Sequence, residues 1–310
     1  LSQELRRGAK IQESEMKLHR FEDASQFYER VKDYLLSQEA LHSLLLGICN
    51  TLIHYPQQYD CQPYLASVEM DGKIVAVAMR TPPRRLILSK IEKFAAVEAF
   101  AERLCKSIAQ DLHSDQQQLP GVSGLAAEAF AFAQAWQAIT SQSYKLEKQL
   151  RIHQLDKVQP ISNSSGYLRQ AIEDESLFLQ DWYKAFAIEA FGSVEGNEER
   201  TIKHYLSQKS LYVWQDQVPV SMARSRLFTP SSALIGPVYT PPEYRRKGYA
   251  TSCVAALSQT LLDQGCRYCF LFTDLANPTS NHIYQAIGYQ PVGDWNDYSF
   301  SKNIAIDITA

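Results

Sequence analysis

The chain has few cysteines, no long apolar run and no surplus of positive charge, and each shortage closes off a class of function. The six cysteines, Cys49, Cys61, Cys105, Cys253, Cys266 and Cys269, are scattered. Cys266 and Cys269 make one lone Cys-x-x-Cys spacing in a strand-like stretch. Alternation along a strand puts their thiols on opposite faces, which disfavours a zinc or redox pair. Reduced thiols in the cytoplasm are the expectation. The most apolar helical stretch, Leu125–Ile139, is too short to span a bilayer and carries Glu128, Gln134 and Gln137, so neither a membrane span nor a signal peptide is expected. His42, His54, His113, His153 and His204 show no metal spacing, and no metal is expected. A formal net charge of −3 denies the chain the broad basic face that a dedicated nucleic-acid binder needs. G-x-x-x-x-G-K-[ST] and G-x-G-x-x-G are both missing, which excludes P-loop and dinucleotide chemistry.

What is present describes a globular chain with enough apolar residues for two cores. The chain has 310 residues, 45% hydrophobic and 21% charged, a length and balance that suit two domains of ordinary size. Pro160-Ile-Ser-Asn-Ser-Ser-Gly166 is the best linker, polar and turn-rich. The expected domains are therefore 16–160 and 161–310. Residues 1–15 precede a strand-like Met16–Phe21 stretch; they read as an upstream extension and carry no weight for the fold.

The two parts follow one plan. In the first, a strand at Lys17–Phe21 leads to helices at Ala24–Leu36 and Leu41–Leu52. Strands follow at Tyr64–Glu69 and Lys73–Arg80, joined by an Asp-Gly turn. Next come a strand at Arg85–Ser89, a helix over Glu92–His113, a loop at Leu119–Gly124, a helix at Leu125–Thr140, and one bent strand or two short ones over Lys145–Val158. The second part has a strand at Tyr167–Ile172, helices at Leu177–Phe191 and Glu198–Leu206, and strands at Leu211–Trp214, Pro219–Phe228 and Ala233–Thr240. A helix over Ala250–Gln264, a strand at Tyr268–Thr273, a helix at Thr279–Ile287 and a last strand around Tyr298–Ser301 complete it. Ala76-Val-Ala-Met-Arg-Thr-Pro-Pro and Ser221-Met-Ala-Arg-Ser-Arg-Leu-Phe-Thr-Pro occupy equivalent places after a hairpin, which suggests a duplicated domain.

The stretch Ala233–Ala250 carries the chemistry. A strand ends at two prolines; Arg245, Arg246 and Lys247 follow, then Gly248, Tyr249 and Ala250 at a helix start. Three cations are the wrong sign for the positive end of a helix macrodipole, and a bound anion resolves the conflict. The second half holds 12 basic and 15 acidic residues, so this cluster is local. It reads as a phosphate or pyrophosphate cradle. The first half has Lys90-Ile-Glu-Lys-Phe at the equivalent place and no glycine. Further on, Asn277 caps a helix that carries Tyr284 and ends at Gly288-Tyr289.

Arg245-x-x-Gly248-x-Ala250, followed one strand later by Asn277, Tyr284, Gly288 and Tyr289, resembles the GNAT superfamily of acyl-CoA N-acyltransferases over about residues 166–301. The resemblance implies an α+β fold of tandem GNAT-like domains, each a mostly antiparallel twisted sheet flanked by helices. The first would be a degenerate, non-catalytic copy. It implies acetyl-CoA as cosubstrate, with the pyrophosphate on backbone N–H groups from Arg246 through Lys247, Gly248 and Tyr249 to Ala250, and charge from Arg245 and Lys247. Val238, Tyr239 and Thr240 would pair with the pantetheine arm, and the Val238 N–H would steady the oxyanion. Asn277 would hydrogen-bond the pantetheine, and Tyr284 would protonate the leaving thiolate. No carboxylate lies on Ala233–Tyr239, so the base stays open among Glu189, Asp274, Glu243, His282 and a water chain. The implied reaction is direct attack by an amine, of a small molecule or a peptide, in a monomer or homodimer without nucleic-acid or membrane partners. The other reading is a catalytically silent acyl-CoA-binding module.

Overall fold

The computed structural model describes residues 15–92, 100–162, 164–194 and 196–301. Residues 1–14 of the expected extension, and residues 93–99 of the helix expected over Glu92–His113, lie outside the described residues.

The first half runs β1 (Met16–Phe21), α1 (Ala24–Leu36), α2 (Glu39–His54), β2 (Tyr64–Met70), β3 (Lys73–Arg80), β4 (Leu86–Leu88), α3 (Phe100–Ser114), β5 (Gly121–Leu125), α4 (Ala126–Thr140) and β6 (Tyr144–Leu155). The second repeats that order: β7 (Tyr167–Gln170), α5 (Ser176–Phe191), α6 (Glu198–Ser207), β8 (Leu211–Asp216), β9 (Val218–Thr229), β10 (Ser232–Tyr239), α7 (Tyr249–Asp263), β11 (Tyr268–Asp274), α8 (Pro278–Ile287) and β12 (Gln290–Phe300). Local chemistry sets many of these bounds. The Asp23 carboxylate accepts from the Gln26 N–H at 2.8 Å and starts α1. Asp71 and Gly72 both take positive φ, as the tight turn between β2 and β3 requires.

Twelve strands form one mostly antiparallel sheet in the order β1-β2-β3-β4-β5-β12-β6-β11-β10-β9-β8-β7. Among the described residues, only β4 with β5 and β10 with β11 pair in parallel. The two halves trade their last strands. β6 of the first half lies against β11, and β12 of the second lies against β5, while β6 and β12 pair with each other along almost their full lengths. Trp295 of β12 is buried where they meet, among Leu125, Ile152, Leu41, Leu44 and Phe272. Truncating such an indole to alanine costs about 3–5 kcal/mol.

Helices cover both faces. The front carries α1 and α2 over Leu65, Val77, Met79, Phe228 and Phe270, and α5 and α6 over Leu211, Val213 and Met222. The back carries α3 and α4 in one cluster and α7 and α8 in another. Helix α2 belongs to the first half yet reaches β9, β6 and β12.

Two expectations need correction. Gly121–Gly124, read as part of a loop, and Leu125, read as the start of a helix, form strand β5. A Cβ on Gly121 would stand 2.0 Å from the Tyr298 carbonyl oxygen, so its glycine serves a close strand-to-strand approach where a turn was expected. The last strand begins at Gln290, well before Tyr298, because β12 spans two neighbours at once.

Candidate active site

β10 pairs with β9 at both ends but with β11 only at Ser232, Ala233 and Leu234. Beyond Leu234 the two parallel strands part. A register shift between Ile235 and Val238 marks a bulge at Gly236-Pro237. Gly236 sits at φ 146°, a conformation that favours glycine, and Pro237 contributes no N–H. The result is an opening between β10 and β11, walled on the β10 side by Val238 and Tyr239.

Past β10, one turn of tight helix at Pro242–Tyr244 leads into the cluster of cations. Arg246 at φ 62° and Gly248 at φ 81° both take the left-handed conformation and fold the chain into α7. Gly248 caps that helix without a side chain, and the first return bond runs from Ser252 N–H to the Gly248 carbonyl at 3.0 Å. The N–H groups of Tyr249, Ala250 and Thr251 therefore have no helix carbonyl to bond, and no described residue accepts from them. The predicted linker packs against this helix start. Ser164 bonds Ser252 Oγ through its N–H at 3.0 Å and its Oγ at 2.9 Å. Asp216 takes hydrogen bonds from the Tyr249 hydroxyl at 2.5 Å and from Ser165 Oγ at 2.8 Å, and those bonds hold its carboxyl below the usual range.

Tyr284 lies on α8 on the back of the sheet. Together with Val238 and Tyr249 it borders the buried cluster that contains Cys253 and Val254. Its hydroxyl has no hydrogen-bond partner among the described residues. Burial, and secondarily the neighbouring Cys253, push its pKa above the ordinary phenol value, so it stays protonated. Cys253, far from Tyr284 in sequence, is thus its neighbour in space. It is fully buried, and burial pushes its pKa to about 12, which keeps it a thiol and no nucleophile. Asn277 is exposed and uses its side-chain oxygen to cap α8 at Ser280 N–H, 3.1 Å away. Asn281, which the sequence reading passed over, ties the β11–α8 junction. It accepts from Thr273 Oγ1 at 2.6 Å and donates to the carbonyls of Asp274 and Asn277 at 2.9 and 2.8 Å.

On the front, two ion pairs rim the opening. Arg245 turns away from the α7 start: its guanidinium donates to both oxygens of Glu189 at 2.7 and 2.9 Å and to the Thr240 carbonyl at 2.8 Å. Arg246 and Lys247 remain exposed. At the end of β11, Asp274 pairs with Lys148 at 3.3 Å. Lys148 comes from β6 of the first half, lies over the Phe191 ring at 5.3 Å and donates to the Ala190 carbonyl. Of the candidate bases, Glu189 and Asp274 are therefore held by cations, while Glu243 and His282 are exposed. Lys148 gave no local signal in the sequence, because strand exchange alone brings it here.

Comparison with known proteins follows this geometry. Residues 176–289, from the start of α5 to the end of α8, match the acetyltransferase (GNAT) family. No curated protein matches the chain. A GCN5-related N-acetyltransferase from Sphaerobacter thermophilus superposes with a TM-score of 0.61 at 12% identity, over 92% of this chain and 95% of that one. A GNAT-family acetyltransferase from Colwellia psychrerythraea superposes at 0.54 with 13% identity, over 92% and 98%. A tandem GNAT protein from the clavulanic acid biosynthesis pathway does so at 0.54 with 11% identity, over 92% and 98%. At these identities the likeness is one of fold.

Proposed function

We propose that the second half, whose residues 176–289 belong to the acetyltransferase (GNAT) family and hence to acyl transfer from acyl-CoA, moves acetyl from acetyl-CoA to a primary amine. The observation that carries this reading is a single opening with complementary walls. Val238 of β10, Tyr249 at the start of α7 and Tyr284 of α8 border one buried cluster beside the point where β10 and β11 part, and among the described residues neither the first N–H groups of α7 nor the Tyr284 hydroxyl has a partner.

The pyrophosphate of acetyl-CoA sits on the N–H groups from Arg246 to Ala250, with Lys247 adding charge. The pantetheine arm lies along Val238–Thr240 as an added strand and meets Asn277 at the far wall. The amine nitrogen attacks the thioester carbon from the front, the Val238 N–H steadies the oxyanion, and the C–S bond breaks. Tyr284 gives its proton to the departing thiolate. The amine's own proton leaves through Glu189 or Asp274, directly or by water. Arg245 acts by positioning Glu189, in addition to any contact with phosphate. Residues 161–310 form the catalytic domain, and residues 16–160 form a non-catalytic copy that supplies Lys148 and closes the front.

Calorimetry with acetyl-CoA and a thiol-release assay over an amine panel test this. Tyr284→Phe is expected to lower kcat by about 10²- to 10⁴-fold while acetyl-CoA affinity stays within threefold. Unchanged turnover removes Tyr284 from the reaction. Tight acetyl-CoA binding with no turnover on any amine leaves a binding module.

A further inference from the structure

The front face holds a charge that the reaction above does not use. Arg224 and Arg226 lie on β9 two residues apart and so project from the same side of the strand. Arg224 is buried, stacked at 3.8 Å over the Tyr205 ring, with its Nε on Ser210 Oγ at 3.4 Å. Arg226 lies flat against α2. A Cβ on Gly47 would meet its Nη2 at 2.5 Å and its Cζ at 2.7 Å, so the missing side chain is what admits the guanidinium. The Nε of Arg226 is sealed from solvent and has no hydrogen-bond partner among the described residues, while the residue as a whole is only half-buried. No carboxylate among the described residues pairs with either arginine.

Two guanidinium groups held together without a counter-ion are costly. Burial, and then the neighbouring Arg224, lower the Arg226 pKa to about 10. Two other cations nearby are already neutralised. A cleft of about 860 Å³ opens beside Tyr59 between the two halves; on its wall Arg200 pairs with Asp60 at 3.3 Å and Lys203 with Glu199 at 2.6 Å. The uncompensated charge is the β9 pair. Its place in the sheet ties it to the opening. Ser225 pairs with Ile235 and Ala223 with Val238, so Arg224 stands beside the Gly236-Pro237 bulge, one strand away, about 5 Å.

We propose that Arg224 and Arg226 bind an acidic group, a carboxylate or a phosphate, carried by the acceptor, with Tyr59, Tyr205 and Gly47 as walls. The acceptor would thus be an amine with an anionic tail, anchored on the front while its nitrogen faces the thioester. The word acceptor rests on the proposed acetyl transfer; the anion site does not.

Calorimetric titration of the full chain with succinate and with inorganic phosphate tests the site, with acetyl-CoA titrated in parallel. Wild type is expected to bind one of the two saturably, and the tighter probe identifies the group. Arg226→Met should weaken that binding at least tenfold and leave acetyl-CoA affinity within twofold. Should that variant fail to fold, Arg224→Gln is expected to show a loss of at least threefold. In turnover, amines bearing an acid group should be preferred to their methyl esters, and Arg226→Met should abolish the preference. No saturable binding of either probe to wild type, or equal binding by the variants, overturns the proposal. Arginine-dependent anion binding without acetyl-CoA binding overturns the acetyl-transfer reading and leaves the site standing.

Discussion

The same junction occurs twice in this chain, once filled and once open. After β10 the backbone donors at the start of α7 have no partner among the described residues. After β4 the donors from Ser89 to Glu92 are all taken: Ser89 N–H bonds the Val77 carbonyl at 2.9 Å, Lys90 N–H bonds His42 Nε2 at 3.3 Å, Ile91 N–H bonds Glu128 Oε1 at 3.1 Å, and Glu92 N–H bonds the Val75 carbonyl at 2.9 Å. In the first half a carboxylate, Glu128, and an imidazole, His42, accept two of these bonds. If the open end is the cofactor site proposed above, one order of elements keeps or loses such a site by a few side chains.

Four measurements would break or sharpen this contrast. The largest effect expected is on acid stability. His42 is buried, its Nδ1–H donates to the Leu35 carbonyl at 3.0 Å, and burial lowers its pKa to about 4. The unfolded chain takes up the proton near pH 6.5 and the folded chain only near 4, so stability falls as pH drops through that window. The loss is on the order of 3 kcal/mol and should vanish in His42→Gln when denaturant melts are compared across pH. Second, Gly248→Val is expected to weaken acetyl-CoA about 100-fold, because valine is strained at that positive φ and crowds the anion. Ile91→Val, at the filled junction, should leave the affinity unchanged. Third, Glu128→Gln should cost the first half about 1–2 kcal/mol in thermal melts with no change in acetyl-CoA affinity. An acetyl-CoA affinity that moves with Glu128 would mean the filled junction is a second site. Fourth, Glu189→Gln frees Arg245 from an exposed ion pair, and acetyl-CoA affinity should change by no more than about threefold. A larger change would assign Arg245 directly to the phosphates.

The backbone frame of the proposed cradle was legible in the sequence because it is local: a strand exit, a glycine that tolerates a left-handed turn, and a helix start lie within twenty residues. The helix that carries Tyr284 was legible for the same reason, with Asn277 and Gly288 marking its ends. Gly121 misled because a glycine in a turn and a glycine under a neighbouring strand look alike in one dimension. Lys148 reaches the rim through strand exchange, and no periodicity within β6 announces which sheet that strand joins. Arg224 and Arg226 alternate along β9 as solvent-facing residues would; Tyr205 of α6 covers the first, and α2, which packs against the second, comes from the other half of the chain.

The exchanged strands also bear on how the protein is made. β5 leaves the ribosome with one edge unpaired and waits for β12, which begins about 165 residues later, roughly ten to thirty seconds at ordinary rates of synthesis. During that interval the nascent first half presents an open strand edge, the kind of surface that recruits chaperones or stray strands. Slowing translation after α4 should therefore lower soluble yield more than slowing it ahead of β5, a cost set by topology and invisible in the finished sheet.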